Sequence, residues 1–255
     1  MLLVMIVRAP EPPLLIPDVS VTALLLDRAA QHGDKPAFID GPSGRTLTYA
    51  DWRRNVGIAA ARLCRLGMTK GDVAAICSPN VLEFTVVFHA VTLVGAVPTL
   101  VSPLSTAEEL RRQMDETGAR WLLGSIPGAM PFSSLLDDSE APDFTNRAGG
   151  DDVAVLPLSS GTSGQPKPVM LTHRNLVANM LQATIALDVR PHDVVLGVLP
   201  FFHIYGLSLI SVAVNQGTTV IVMPRWDLNG ALELMHRYQV TYLPVVPPIV
   251  LGLAK

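Results

Sequence analysis

Cysteine is scarce in this 255-residue chain: Cys64 and Cys77 are the only two. Two thiols cannot build a disulfide framework or, by themselves, a zinc site. Their scarcity fits a reducing, cytoplasmic compartment. Charge is scarce too, at 16% Asp, Glu, Lys and Arg, and 19 basic against 22 acidic residues leave a net charge of −3. With no basic run, the chain lacks the electrostatic footprint of a nucleic-acid partner. None of its six histidines carries the H-E-x-x-H spacing of a metal site. No Asp, Glu, Lys or Arg falls between Asp193 and Arg225. Such a run is long enough to span a bilayer. Pro200, Gly206, Gly217 and the strand-like Thr218–Val222 divide it, however, and buried parallel strands also read as continuous apolar runs. It is read as core, not as a membrane span. Met1–Val7 is apolar but short for a signal peptide, and Arg8 follows it rather than leads it.

Apolar residues supply 49% of the chain, and mean hydropathy is +0.37. Disorder is excluded, because it requires low hydrophobicity and high charge. The length suits one or two domains. Ser20 caps a helix from Val21 to about Gln31. Ala37–Ile39 and Thr46–Tyr49 read as a hairpin, followed by a helix Ala50–Leu66 and a strand Val73–Cys77. Asn80 reads as the cap of a helix running to Val94, and Ala96–Leu100 as the next strand. Ser105 and Glu108 set out a capping box for a helix ending at Gly118, and Trp121–Leu123 is a strand. Residues 137–152, with six acidic residues, one Arg and Gly149-Gly150, read as a solvated connection. Alternation then resumes: strand Val153–Leu158, helix Thr172–Leu187, strand Val194–Leu199, helix Ile204–Val214, strand Thr218–Val222, helix Leu228–Tyr238, strand Val240–Val245. Strands alternating with helices predict an α/β fold of mostly parallel sheets flanked by helices.

The most informative stretch is Ser159-Ser160-Gly161-Thr162-Ser163-Gly164-Gln165-Pro166-Lys167. Its small residues let backbone approach a ligand closely. Successive N–H groups in such a loop form a concave anion site. Four hydroxyls and the Lys167 ammonium add what a polyphosphate requires. The loop is not a Walker A sequence. It misses the hydrolase elbow G-x-S-x-G because Gln165 stands where the last Gly must be. A plain polar turn is the competing reading.

Four stretches carry a resemblance. The segment Ser159–His173 resembles the phosphate-loop signature of the adenylate-forming superfamily, which includes acyl-CoA ligases, luciferases and peptide-synthetase adenylation domains. Leu199–Leu207 is similar to its aromatic-His motif. Leu243–Leu251 resembles the segment that follows in 4-coumarate–CoA ligase-like members, and Thr48–Trp52 resembles an early family motif. The resemblance implies an acid–thiol ligase. A carboxylate attacks the α-phosphate of ATP–Mg²⁺, giving an acyl-adenylate and pyrophosphate, and coenzyme A then displaces AMP. It implies that Ser159, Ser160, Gly161, Thr162, Ser163, Gly164 and Lys167 hold the ATP phosphates, with Lys167 and His203 in catalytic roles. His203 and Tyr205 would face the acyl group, and Arg225 coenzyme A. Without the resemblance, His203 reads as a buried core histidine, core packing competes for Tyr205, and Arg225 reads equally as a solvated strand-end charge. His173 reads as an early helix residue, not a catalyst.

The family usually has Gly after the loop Lys; here Pro168 stands there, which implies a stiffer loop and weaker pyrophosphate handling. Family members usually run to about twice this length. The expectation is therefore a partial N-terminal AMP-binding domain over residues 1–255. The small C-terminal domain and the Mg²⁺ ligand would lie in the missing part. The implied substrate is an aryl, phenylpropanoid or fatty acid, and an uncovered sheet edge would favour self-association. A non-catalytic nucleotide- or partner-binding remnant and a serine hydrolase using Ser163 are the alternatives.

Overall fold

Alternate residues along the strands have opposite surroundings, and this sorts the chain into layers. The structure, a computed structural model, describes residues 14–136, 146–159 and 166–254. The first half runs α1 (Val21–Ala29), β1 (Pro36–Asp40), β2 (Thr46–Thr48), α2 (Tyr49–Arg65), β3 (Val73–Cys77), α3 (Leu82–Val94), β4 (Val97–Val101), α4 (Ala107–Thr117), β5 (Trp121–Gly124) and a short 3₁₀ turn, Phe132–Leu135. The second half runs β6 (Val153–Val155), β7 (Leu158–Ser159), β8 (Lys167–Pro168), β9 (Leu171–Thr172) and α5 (His173–Leu187). It ends with β10 (Val194–Gly197), α6 (Ile204–Gln216), β11 (Thr219–Val222), α7 (Leu228–Arg237) and α8 (Pro247–Leu253).

Two sheets dominate. One has the order β10-β11-β1-β2, with only the β1–β2 hairpin antiparallel. The other, β4-β3-β5, is wholly parallel. Ala74 and Ile76 of β3 face one shared core, as do Val220 and Val222 of β11, together with α1, α2, α3, α5 and α6. The intervening residues face outward. Ile221 packs with α7 through Ala231 and Leu234. Ala75 and Cys77 pack beside Leu110 and Met114 of α4. Both faces of each sheet are thus covered, as parallel sheets require. Apolar on all sides, α3 lies in the middle, and every residue but Glu83 is buried. The charge-free run divides into β10, a turn, α6 and β11. Among the described residues no helix is long and apolar enough to cross a membrane.

Four expectations need correction. The capping box is Thr106 with Glu109, one residue later than Ser105 and Glu108. Thr106 already carries the extended backbone a cap needs. Asn80 does not cap α3. The cap position is Val81, without a side-chain bond, and Asn80 is used elsewhere. The expected strand Val153–Leu158 is split, with β6 pairing to β9 and β7 to β8. Val240–Val245 is not a strand. Pairing with β10 stops at one bridge, Val195 to Tyr242, because Pro244 has no N–H to extend the ladder. The acidic stretch 137–145 lies outside the described residues.

Both cysteines are free, and burial pushes both thiols up. Two histidines are buried within the shared core region. His89 Nδ1 and the Thr22 hydroxyl share a hydrogen bond of 2.8 Å, and Val21 N–H donates to Nδ1 of His173 at 3.2 Å. Burial pushes His89 down to about 3 and His173 down to about 4, from 6.5. His173 is therefore a neutral structural residue joining α5 to α1. Below about pH 6.5 the unfolded chain binds protons that the folded one refuses, so stability falls with pH. The urea midpoint is expected to drop steadily from pH 7 to pH 5, with a shallower drop in His89→Gln. Equal slopes in parent and variant would contradict this.

Candidate active site

In sheets of this kind, ligands bind outside the carboxyl ends of the strands. Both informative motifs leave from such ends. The strand β6 continues the β4-β3-β5 sheet, since Thr99 bridges Leu156 in parallel and Leu156 N–H donates to Pro98 O at 2.9 Å. From its carboxyl end β7 leads into the phosphate loop, and β8 leads out. Ser159 lies opposite Lys167, and Leu158 opposite Pro168. The Ser159 hydroxyl donates to Lys167 O at 3.2 Å. The two ends of the loop are therefore clamped together. Ser160, Gly161, Thr162, Ser163 and Gly164 lie outside the described residues. Lys167 is exposed.

Pro168 fits this ladder. Val169 N–H donates to Pro157 O at 2.9 Å, which makes residues 157 and 169 a hydrogen-bonded pair. Alternation then makes Leu158 and Pro168 a non-bonded pair. Pro168 removes no ladder bond and adds a fixed φ on the strand leaving the loop.

The second motif begins where β10 ends. His203 N–H donates to Pro200 O at 3.0 Å, closing a turn over Pro200–His203. His203 is the N-cap of α6, and its Nδ1 accepts from Tyr205 N–H at 3.2 Å. In the neutral ring the proton then sits on Nε2, which is left as the ring's donor. His203 is exposed and Tyr205 is 43% exposed. Neither is the core residue that composition alone suggests. Tyr205 also does not line the small apolar cavity under the turn, which Val195, Leu199, Phe201, Leu209 and Pro244 enclose. Gly206 seats α6 against the turn. A Cβ there would lie 2.1 Å from Pro200 O.

Asn80 is the residue that sequence reasoning misassigned. Three residues past β3, its side chain is 2% exposed. Its Nδ2 lies 3.3 Å from Gly197 O, 3.0 Å from Leu199 O and 3.2 Å from Met223 O. Its Oδ1 accepts from Phe201 N–H at 2.8 Å. Gly197 ends β10, and Met223 follows β11. The carboxyl ends of the two sheets therefore meet at Asn80. Arg225, two residues beyond Met223, is exposed and has no hydrogen bond or ion pair among the described residues. No His, Cys, Asp or Glu cluster among the described residues could hold a metal ion.

A hydroxyl-rich loop and an aromatic-His turn, at the joined carboxyl ends of two parallel sheets, match a known family. Residues 25–255 match the family described as AMP-binding enzyme. The chain belongs to this family. The 4-coumarate–CoA ligase 3 of Arabidopsis thaliana is 34% identical over 276 residues, covering 94% of this chain and 49% of that protein. A long-chain-fatty-acid–CoA ligase from Archaeoglobus fulgidus superposes with a TM-score of 0.86 at 25% identity, covering 94% of this chain and 54% of that one. The o-succinylbenzoate CoA synthetase of Bacillus subtilis, solved with an acyl-adenylate intermediate, gives 0.84 at 26% identity over 93% of this chain and 64% of that one. The chain has the N-terminal α/β fold of adenylate-forming enzymes and spans about half the length of the curated relatives it matches.

The close approach at Gly206 gives a direct check on this AMP-binding fold. Gly206→Ala is expected to lose about 2 kcal/mol or more in urea denaturation, because the new methyl must push Pro200 away. A loss below about 0.5 kcal/mol would mean the turn yields without cost.

Proposed function

We propose that this chain is the N-terminal portion of an acid–CoA ligase. The observation that carries the reading is the clamped loop Ser159–Lys167 at a strand's carboxyl end, in a chain of the AMP-binding family. The reaction has two steps. A carboxylate oxygen of the acid bonds to the α-phosphorus of ATP, the α–β phosphoanhydride breaks, and pyrophosphate leaves. The sulfur of coenzyme A then bonds to the acyl carbon and AMP leaves. The protein's task in the first step is to neutralise charge at the phosphates.

Ser159, Ser160, Gly161, Thr162, Ser163 and Gly164 would supply hydroxyl and backbone N–H donors to the β- and γ-phosphates, and Lys167 the positive charge. The Nε2–H of His203 would hydrogen-bond the acid's carboxylate and hold it for attack, with Tyr205 beside the acyl group. Arg225, exposed and unpaired among the described residues, would meet a phosphate of coenzyme A. Mg²⁺ supplies further charge neutralisation when bound. The described residues offer no cluster of three or more His, Cys, Asp or Glu side chains to ligate it. An aryl or phenylpropanoid acid is the favoured substrate, on the segments Phe202–Tyr205 and Val245–Pro248. A fatty acid is the competing class, and a pyrophosphate-exchange panel of aryl and alkyl acids separates them. Two free thiols, both raised by burial, support a cytoplasmic setting. Exposed Val250, Leu251 and Leu253 on α8 support self-association.

Two results are expected. Lys167→Ala weakens ATP binding by roughly tenfold or more in calorimetry, the loss of one charge-assisted bond to phosphate. Unchanged affinity would remove Lys167 from the site. The purified 255-residue chain forms no acyl-CoA thioester, because it spans about half of its relatives. Robust thioester formation would show that this half suffices.

A further inference from the structure

The turn that carries His203 is held from the opposite sheet. A carboxamide has two N–H donors and one oxygen with two lone pairs. In Asn80 the donors face three backbone carbonyls, those of Gly197, Leu199 and Met223. The oxygen takes the Phe201 N–H. These four groups belong to the end of β10, the turn before α6 and the end of β11. Gly197 O also takes the Met223 N–H at 3.2 Å, whereas Leu199 O and Met223 O lie beyond the paired strand ends. Once buried, such groups cost about 1–3 kcal/mol each if left unpaired. One side chain therefore satisfies the backbone where two parallel strands stop.

The grip is reinforced by rings. Phe84, on the first turn of α3, packs against Phe201 with centroids 6.0 Å apart. Phe201 is thus held by backbone from Asn80 and by side chain from Phe84. Two residues later the chain reaches His203, with the turn bond to Pro200 and the cap bond to Tyr205 N–H both set by this path.

We propose that Asn80 is a positioning residue: its buried carboxamide fixes the β10–α6 turn and so sets the place and tautomer of His203. The proposal rests on the reading that His203 faces the acyl group, and it makes the geometry of that residue depend on the β3–α3 connection rather than on its own sheet alone. Asn80→Asp keeps the shape but replaces both donors by an acceptor facing three carbonyls. Asn80→Ala removes all four bonds.

The test is nuclear magnetic resonance of the whole 255-residue chain with ¹⁵N,¹³C-labelled histidine. In Asn80→Asp and Asn80→Ala the His203 ring signal is expected to shift. Its two nitrogen shifts should move toward each other as the Nε2–H tautomer loses its preference. The signals of exposed His192 and His236 should stay in place. Tyr49→Phe serves as the control. It removes a buried bond to Thr218 O of 2.6 Å, destabilises elsewhere, and should leave His203 unmoved. An unmoved His203 in folded Asn80 variants overturns the proposal, as does an equal shift in Tyr49→Phe. If the variants do not fold, amide exchange in the parent decides. The Phe201 N–H should exchange at least about 1,000-fold slower than in an unstructured chain, and free exchange there overturns the proposal equally. A stable acyl-adenylate analogue, the sulfamoyl adenosine of an aryl acid, then tests the functional reading separately. A His203 that moves with Asn80 but ignores the analogue leaves the positioning role standing and removes the catalytic one.

Discussion

Parallel strands must be covered on both faces, and that requirement organises this molecule. Strand residues such as Val220, Ile221 and Val222 are all buried, with alternate neighbours in different cores. The same holds for Ala74, Ala75 and Ile76. Helices therefore have to lie on both sides of each sheet, and the innermost, α3, has almost no polar face. What remains unsatisfied is backbone at the strand ends, where ladders stop. Buffering those ends is the work of side chains such as Asn80 and of tight turns such as Pro200–His203.

Function follows from those ends. One carboxyl end sends out a loop of hydroxyls and small residues, closed by the pairing of Ser159 with Lys167. Another sends out a turn that exposes His203 at the start of a helix. Because the two sheets meet end to end at Asn80, the strands that lead to both motifs end on the same side of the molecule. In the proposed reaction, an anion-binding loop and an imidazole donor on one side would serve the attack of a carboxylate on a phosphate. Lys167 and Arg225 are exposed, which leaves both charges accessible for the phosphate contacts proposed for them.

Much of this was legible in the residues. Local signals were enough where one element decides its own fate. Ser20 at the start of α1, Gly118 ending α4, and the β1–β2 hairpin all fall where chain chemistry places them. The capping box slipped by one residue within its own local signal, and the other misreadings arose where tertiary contacts decide. Asn80 has the composition and position of a helix cap, and only the approach of a second sheet recruits its carboxamide. The stretch Val240–Val245 has strand composition, but Pro244 ends the pairing after Tyr242. His203 carries no marker that separates a core histidine from an exposed one, since its exposure depends on the turn beneath it. The role proposed for the loop hydroxyls rests on the motif alone, and short Gly- and Ser-rich runs also make ordinary turns.

The central claim is that two sheets bring their carboxyl ends together to make one nucleotide-facing site. Paramagnetic broadening tests it most directly. With Mn²⁺–ATP added to the ¹⁵N-labelled chain, the amides of Ser159, Lys167 and His203 should lose intensity together, while Val73 and Val194, at the amino ends of β3 and β10, keep theirs. Broadening at Lys167 that leaves His203 untouched, or broadening at neither, would contradict the account.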